Sequence, residues 1–304
     1  MRNRIDQLVD TVSSVVLGKE DVVRLAVACM LARGHLLIED LPGMGKTTLA
    51  HTLAHVFGLE YRRVQFTSDM LPADILGGAV FNQQTSSFVY HPGPVFTQLL
   101  LADEINRSTP KTQSALLEAM EEGQVSSEGI TRQLPSPFFV LATQNPTSQF
   151  GTFPLPESQL DRFLMKISLG YPDADTEKKL LKHGDTRSDI EELPVCIDSK
   201  MLQEIQTACQ QVAVSDPVLD YIQRLAQFSR SSEEIVLGLS PRGALALIQA
   251  AKAWAYMSGR DFLTPDDVQQ VFSSVVEHRL LIRNDHQHEA DPIRAILAKV
   301  DVLS

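Results

Sequence analysis

The stretch Asp40-Leu-Pro-Gly-Met-Gly-Lys-Thr47 decides the fold. It follows His35 to Glu39, an apolar run that predicts a β-strand, and it precedes a stretch to Phe57 with helical periodicity. Gly43 and Gly45 let the backbone turn so that successive N–H groups face one anion, and the positive end of the next helix adds to the attraction. Strand, glycine turn, Gly-Lys-Thr and helix together predict a phosphate-binding loop.

The side chains of this loop predict how a nucleotide would be held. Lys46 would contact the β and γ phosphates, and the Thr47 hydroxyl would bind Mg²⁺. The other predicted nucleotide contacts are Pro42, Gly43, Met44, Gly45 and Thr48. The loop departs from the GxxxxGK[ST] pattern at one position, because Asp40 stands where the first glycine is usual.

Polar residues also follow two further predicted strands. An apolar run from Val95 to Ala102 predicts a strand buried on both faces, and it ends in Asp103-Glu104. Open α/β sheets bind ligands at the carboxyl ends of their strands. There Asp103 would bind Mg²⁺ through its water shell, and Glu104 would polarise the attacking water. Asn145 follows the strand that begins at Phe138, and its amide could bond both the water and the γ-phosphate.

Two arginines extend the pattern. Arg162 ends a short predicted helix in Leu160-Asp-Arg-Phe163, and Arg242 begins a long one after Ser240-Pro241. Read alone, each arginine could be a surface ion pair. In the same way, a strand-end Asp-Glu is often a loop start, and Asn145 could cap a turn. The ordered set favours a nucleotide hydrolase.

The alternation of strands and helices predicts an α/β fold with a doubly wound parallel sheet of five strands. The character changes near residue 171, and the rest reads as helix over 175–184, 198–212, 216–230, 241–258 and 265–281. We therefore expect a nucleotide-binding core over 1–171, interrupted by an insertion at about 69–94 and a hairpin at about 123–135. A smaller all-α domain is expected over 172–304.

Composition limits the classes of function. The chain has 304 residues, and its 38 acidic residues exceed its 27 basic ones by 11, which disfavours a general electrostatic grip on nucleic acid or anionic lipid. The three cysteines stand outside any CxxC pattern and are expected to be buried thiols. No signal-peptide core is found, and charges interrupt every apolar run before the roughly 18 residues of a membrane helix. A cytoplasmic location without membrane insertion is expected. Asp285-His-Gln-His-Glu289 is expected to be a polar turn rather than a metal site.

Several of these runs closely resemble the MoxR family of AAA+ ATPases. The resemblance covers about residues 5 to 282, and its motifs lie at 37–48, 102–107, 110–122, 142–146 and 154–164. The Glu-Asp-x-Pro-Gly form of the phosphate loop is usual in that family, so Asp40 is no longer an anomaly. The resemblance implies a P-loop NTPase core of the AAA+ type with a helical lid domain.

The resemblance also implies a role for each motif. Lys46 and Thr47 match Walker A, Asp103 and Glu104 match Walker B, Asn145 matches sensor 1, Arg162 matches the arginine finger and Arg242 matches sensor 2. A finger that acts on a neighbouring subunit implies a homo-oligomeric ring, usually hexameric, and arginine fingers contribute about 10³–10⁵ in rate. Arg107 is a second candidate for the trans-acting arginine. Val16, Leu17 and Gly18 match the segment that contacts adenine.

The implied function is Mg²⁺-dependent ATP hydrolysis coupled to chaperone-like remodelling or activation of partner proteins. The insertion matches the helix 2 insert, and both it and the hairpin are expected to touch client proteins. Family members are often associated with partners that carry von Willebrand factor A domains. Alternatives are a nucleotide kinase, a DNA-stimulated helicase-like motor, and a nucleotide-gated scaffold whose hydrolysis is incidental. The lid arginine, Arg242, is expected to reach a phosphate held by the core of its own chain.

Overall fold

The computed structural model describes residues 2–145, 151–183, 190–283 and 292–302. The predicted polar turn at Asp285–Glu289 lies outside these ranges. The strands are β1 Leu36–Glu39, β2 Tyr61–Gln65, β3 Gly77–Asn82, β4 Ser87–Pro92, β5 Leu99–Asp103, β6 Gln124–Ser127, β7 Ile130–Gln133, β8 Phe139–Gln144, β9 Met165–Ile167, β10 Ile235–Leu237 and β11 Leu281–Ile282.

The helices lie before, between and after these strands. They are α1 Arg2–Val15, α2 Glu20–Leu31, α3 Lys46–Val56, α4 Pro72–Leu76, α5 Pro110–Glu122, α6 Glu157–Leu160, α7 Ala174–His183, α8 Ser199–Gln210, α9 Asp216–Ser231, α10 Pro241–Met257, α11 Pro265–Val276 and α12 Pro292–Lys299.

Five of the strands form the parallel sheet that the sequence predicts. Their order is β2-β5-β8-β1-β9, and each neighbouring pair is parallel. Because β1, β8 and β5 are adjacent, the loops that follow them meet at one edge of the sheet. The phosphate-binding loop therefore lies next to the polar residues that follow the other two strands.

Helices cover both faces of the sheet, so its strands alternate between two apolar clusters. Leu36 and Ile38 of β1 belong to the cluster shared with α1, α2, α3 and the C-terminal helices. Leu37 points the other way, into the cluster that includes residues of α5. Strands buried on both faces read as continuous apolar runs, which is why periodicity alone predicts them.

His35, just before β1, connects this strand to β8 and α5. Its Nδ1 accepts a hydrogen bond from the Val140 N–H (3.0 Å), and its Nε2 lies 3.2 Å from the carbonyl oxygen of Met120. A ring that accepts at one nitrogen and donates at the other is neutral. Burial lowers the pKa of His35 to about 4, which agrees with this neutral form.

The predicted strand at Val95–Ala102 begins later than expected. Only Leu99–Asp103 is a strand, while the N–H groups of Val95 and Phe96 bond the carbonyls of Ile75 and Gly93 in turns. Val95 is buried against the insertion rather than in the sheet. An apolar run records burial, and it does not distinguish a buried turn from a buried strand.

The insertion folds as a short helix, α4, followed by the β3–β4 hairpin. Gly77 begins this hairpin with a φ of +92°, and a Cβ there would lie 2.3 Å from the carbonyl oxygen of His91. Tyr90 on β4 packs under the guanidinium of Arg132, 3.7 Å from the ring centre. Since Arg132 lies on β7, this contact joins the insertion to the β6–β7 hairpin.

The C-terminal region is mainly helical, with one addition that the sequence did not predict. β10 and β11 pair antiparallel as a two-stranded sheet. The helix predicted over 265–281 ends at Val276, and a 3₁₀ turn at Glu277–Arg279 leads into β11. Cys29, Cys196 and Cys209 are buried free thiols, as expected. None of the described helices is long and apolar enough to cross a membrane.

Candidate active site

A cavity of about 450 Å³ lies where the loops after β1, β5 and β8 meet. Most of the residues predicted to bind nucleotide line it, namely Val16, Leu17, Pro42, Gly43, Met44, Gly45, Lys46, Thr47, Thr48, Asp103, Glu104 and Asn145. Gly18 faces α7 instead, because a Cβ at this residue would lie 2.8 Å from Oγ1 of Thr176. The volume suits a small-molecule ligand.

The phosphate-binding loop has the backbone shape that its glycines predict. Gly43 and Gly45 have φ values of +87° and +88°, which lie in the left-handed region that favours glycine. A Cβ built on either glycine would meet nothing within 4 Å, so backbone conformation and not crowding explains the glycines, and both residues line the cavity. Gly45 immediately precedes α3, whose first residues, Lys46–Thr48, line the cavity, and the first N–H groups of a helix have no partners within it.

Lys46 is held in place by polar atoms on both sides. Its Nζ donates to the carbonyl oxygen of Asp40 (2.6 Å) and to Oδ1 of Asn145 (3.2 Å). Burial lowers the pKa of Lys46, while the carboxylates of Asp40, Asp103 and Glu104 oppose this shift. An ammonium group in a partly desolvated cavity attracts an anion more strongly than one in bulk water.

The Asp40 carboxylate ties the phosphate-binding loop to the segment after β9. Its Oδ2 accepts hydrogen bonds from the N–H groups of Leu169 (2.6 Å) and Gly170 (2.7 Å) and from the hydroxyl of Ser168 (3.1 Å). Its Oδ1 accepts from the Leu41 N–H (2.9 Å). The carboxylate therefore replaces the usual glycine with a four-bond anchor.

Thr143 on β8 fixes both acidic residues at the end of β5. Its hydroxyl donates to Oδ1 of Asp103 (2.6 Å) and accepts from the backbone N–H of Glu104 (2.8 Å). Glu104 has a φ of +56°, a conformation uncommon for a non-glycine residue, and this bond helps to hold it. The two carboxylates consequently point into the cavity from fixed positions.

The Glu104 carboxylate has three further contacts. Asn145 Nδ2 donates to Oε1 (3.2 Å), and Gln65 Nε2 donates to Oε2 (2.8 Å). The guanidinium of Arg107 lies 3.1 Å from Oε2. Because Asn145 also accepts from Lys46, its amide connects the phosphate-binding lysine to the predicted catalytic carboxylate.

The Asp103 carboxylate carries a cation of its own. Arg63 on β2 donates to Oδ2 from Nη2 (2.6 Å) and from Nε (3.1 Å). The same Nη2 also donates to Oε1 of Gln65 (3.0 Å). Arg63 and Gln65 lie two residues apart on one face of β2, so this strand holds both acidic side chains.

The residues present fit Mg²⁺ and a nucleoside triphosphate. The Thr47 hydroxyl and the Asp103 carboxylate border the same cavity and offer the oxygen ligands that Mg²⁺ prefers. Magnesium usually keeps several waters and takes one or two protein carboxylates together with phosphate oxygens. The open loop and Lys46 supply the matching anion site.

Arg162 and Arg242 meet in a second cluster, on Glu121 of α5. Arg162 Nη2 lies 3.0 Å from Glu121 Oε2, and Arg242 Nη1 lies 3.3 Å from Oε1. Arg242 Nε also approaches Oδ2 of Asp161 (3.5 Å). Among the described residues that line the phosphate-loop cavity, neither arginine is found. In this structure Arg242 therefore lies beside Arg162 and not at the phosphate loop of its own chain.

A buried arginine of the C-terminal region holds the segment that carries Arg162. Arg279 donates to Oδ1 of Asp161 (2.7 Å) and to the carbonyl oxygens of Phe163 (2.7 Å) and Leu164 (3.1 Å). His278 adds a contact of 2.9 Å to the Phe163 carbonyl. Burial lowers the pKa of Arg279, and the Asp161 carboxylate opposes this shift.

Comparison with known proteins identifies the family. The model described as the ATPase family associated with various cellular activities (AAA) matches residues 35–165, and the AAA lid domain model matches residues 227–300. Chaperone MoxR1 of Mycobacterium tuberculosis (strain ATCC 25618 / H37Rv) is 38% identical over 92% of this chain and 76% of its own length. The chain belongs to the MoxR family of AAA+ ATPases.

Other relatives agree with this MoxR-family assignment. Protein YeaC of Bacillus subtilis (strain 168) is 43% identical over 97% of this chain and 92% of its own length. A crystal structure of a candidate ATPase from Cytophaga hutchinsonii ATCC 33406 superposes with a TM-score of 0.89 at 36% identity, covering 99% of this chain and 95% of the other. The expected AAA+ fold with a helical lid is confirmed, and the chain is an ATPase.

Sequence reasoning missed three residues of this MoxR-family site. Thr143 lies inside a motif that drew attention only to its last residue, Asn145. Arg63 and Gln65 lie on β2, and no motif in the sequence assigned a role to either of them. One signal could have pointed to them, because Arg63 and Gln65 alternate along the strand and therefore share one face of the sheet, and the last of them pairs with Asp103.

Proposed function

We propose that this MoxR-family ATPase works as a homo-oligomeric ring in which Arg162 and Arg242 act on the nucleotide of the neighbouring subunit. One observation carries the proposal. Both arginines share the Glu121 carboxylate in a cluster of their own, while the phosphate loop, Asp103 and Glu104 line a separate cavity. A site divided in this way is completed only when a second subunit brings its arginine cluster to the cavity.

Within the cavity, each residue has a physical role. The N–H groups around Gly43 and Gly45 and the ammonium of Lys46 bind the phosphates, and the Thr47 hydroxyl and Asp103 are placed to hold Mg²⁺. Magnesium held by these two residues would neutralise charge on the phosphates.

The acidic and amide groups of the cavity handle the water. Glu104 is placed to orient a water molecule and accept its proton, since Gln65 and Asn145 fix both carboxylate oxygens. Asn145 keeps Lys46 and Glu104 in register. Arg162 of a neighbour stabilises charge that develops on the transferred phosphoryl group.

We propose that the energy of hydrolysis remodels or activates partner proteins, as the name of the mycobacterial relative suggests. The β3–β4 hairpin supports this, because Phe81 and Phe88 are 51% and 71% exposed at its tip. The same proposal includes a hexameric ring and a boundary between the two domains near residue 171. It also includes a partner that carries a von Willebrand factor A domain. A cytoplasmic location stays a prediction of the sequence.

A mixing experiment tests the ring. Lys46→Ala and Arg162→Ala proteins are each expected to lose ATPase activity. If the arginine acts across the interface, mixed oligomers regain activity. In them, Arg162 of a Lys46→Ala subunit reaches the intact cavity of a neighbouring Arg162→Ala subunit. The same holds for Arg242→Ala. No recovery in either mixture contradicts the proposal.

Two controls sharpen this test. Arg107 contacts Glu104 of its own chain, so Arg107→Ala mixed with Lys46→Ala should regain nothing. A Lys46→Ala/Arg162→Ala double variant should not rescue Arg162→Ala.

The partner function has its own experiment. Glu104→Gln should keep nucleotide binding and lose turnover, so it should retain bound clients during co-purification. If Glu104→Gln still activates a partner fully, the scaffold interpretation is correct. ATPase activity that rises with DNA and falls steeply with salt would support a DNA motor.

A further inference from the structure

The guanidinium of Arg63 donates two hydrogen bonds to one oxygen of Asp103, Oδ2, from Nη2 (2.6 Å) and from Nε (3.1 Å). Arg63 and Asp103 both line the cavity, and the side chain of Asp103 is only 9% exposed while that of Arg63 is 47% exposed. The other carboxylate oxygen is already bonded by Thr143. Both oxygens of this predicted metal ligand therefore have a partner before any metal arrives.

This arrangement has an electrostatic consequence. Arg63 places a permanent positive charge on the carboxylate that would help to hold a divalent cation, since arginine stays protonated in proteins. Like charges at such short range repel, and a partly buried cavity screens that repulsion less than bulk water does. Arg63 also lines the cavity, so its guanidinium would attract the phosphate oxygens of a bound nucleotide while it stays paired with Asp103.

We propose that Arg63 is a positioning residue that stands in for magnesium at Asp103 and thereby reduces the dependence of nucleotide binding on the metal. The proposal rests on the nucleotide site described under the proposed function. With Arg63 present, a metal-free triphosphate still meets two cations, Arg63 and Lys46. Without Arg63, the Asp103 carboxylate is uncompensated, so it repels a bare triphosphate and attracts the metal more strongly.

The chain contains a matched control one residue away. Arg62 has the same exposed side-chain fraction, 47%, but it pairs with Glu60 on the opposite face of β2. Arg62→Gln and Arg63→Gln remove the same charge from the same strand. A difference between them therefore reports the pairing with Asp103 and not the overall change in net charge.

The experiment measures the dissociation constant of a fluorescent, non-hydrolysable ATP analogue in excess EDTA and in saturating Mg²⁺. The dissociation constant in EDTA divided by that in Mg²⁺ measures the coupling between metal and nucleotide binding, and it requires no turnover. For Arg63→Gln we expect this ratio to rise about tenfold above wild type, the effect of removing one charge-assisted pair. Arg62→Gln should leave the ratio within about twofold of wild type.

A milder variant protects the test against misfolding. Arg63→Lys keeps the charge but loses the two-nitrogen contact, so it should raise the ratio less than Arg63→Gln does. Unchanged ratios for both Arg63 variants, or a ratio that falls, would overturn the inference. If wild-type protein binds the analogue in neither buffer, the proposed nucleotide site itself fails, which is a distinct result.

Discussion

Replacement of Asp40 gives the sharpest test of how the phosphate-binding loop is anchored. Its carboxylate is nearly inaccessible, with 7% of the residue exposed, and it accepts four hydrogen bonds. Asp40→Ala would leave the N–H groups of Leu169 and Gly170 without this acceptor. Asp40→Asn would keep one oxygen of the same shape but lose the charge.

The magnitude follows from these contacts. A hydrogen bond to a charged group contributes about 1.5–3 kcal/mol, and bonds that share one oxygen add less than their sum. We expect Asp40→Ala to lower the free energy of unfolding by about 3 kcal/mol. Asp40→Asn should lower it by about half as much. Asp220→Ala, which changes an exposed aspartate on α9, should stay within about 0.5 kcal/mol of wild type.

Urea denaturation provides the assay. The only tryptophan, Trp254, lies in α10, so its fluorescence reports the C-terminal helices while circular dichroism reports the whole chain. Coincident transitions by the two probes justify a two-state analysis. A change of less than about 0.5 kcal/mol for Asp40→Ala would refute the reasoning. Equal losses for the Ala and Asn variants would show that the amide oxygen contributes nothing once the charge is gone, and a loss for Asn close to zero would show that the charge itself contributes nothing.

Three further outcomes are expected from the same contacts. Arg279→Met should lower the free energy of unfolding in urea titrations by about 3 kcal/mol, because buried carbonyl groups and a carboxylate lose their hydrogen-bond donor. Arg283→Met on the exposed surface should change it by less than about 0.5 kcal/mol. His35 has a folded pKa below its unfolded value, so its contribution is full above about pH 6.5 and is lost as the pH falls toward 4. Between pH 7.5 and 5, His35→Gln should therefore lose about 2 kcal/mol less stability than wild type, and equal losses would contradict this. Gly77→Ala should destabilise the insertion by more than about 2 kcal/mol and expose its hairpin to protease. Gly129 also has a positive φ but open space around it, so Gly129→Ala should cost only about 1 kcal/mol. Similar rates of protease cleavage for the two variants would contradict the steric argument.

Much of the nucleotide cavity could be predicted because its signals are local. The loop at Asp40–Thr47, the Asp103-Glu104 pair and Asn145 each follow a buried strand of a parallel sheet. Parallel strands end at one edge, so short motifs far apart in the chain predict neighbours in space. Val16 and Leu17 also line the cavity, and their predicted contact with adenine depends on the family resemblance rather than on periodicity.

The relations that the sequence left open depend on long-range pairing. Arg242 contacts Glu121, which lies 121 residues earlier in the chain, and no local pattern near Ser240 specifies that contact. The strand predicted from Val95 begins only at Leu99, because a buried turn and a buried strand have the same apolar sequence. The short pair β10–β11 joins segments more than 40 residues apart and is too brief for period-two alternation to reveal.

The segment from Asp161 to Gly170 is held from both sides. At its start, Arg279 of the C-terminal region grips the Asp161 side chain and the carbonyls that follow Arg162. At its end, the Asp40 carboxylate of the phosphate-binding loop accepts a hydrogen bond from the Gly170 N–H. Strand β9 lies between these two sets of contacts and pairs with β1, the strand that leads into the loop. Arg162 therefore lies on a segment that contacts both the phosphate-binding loop and the C-terminal region, so its position depends on both.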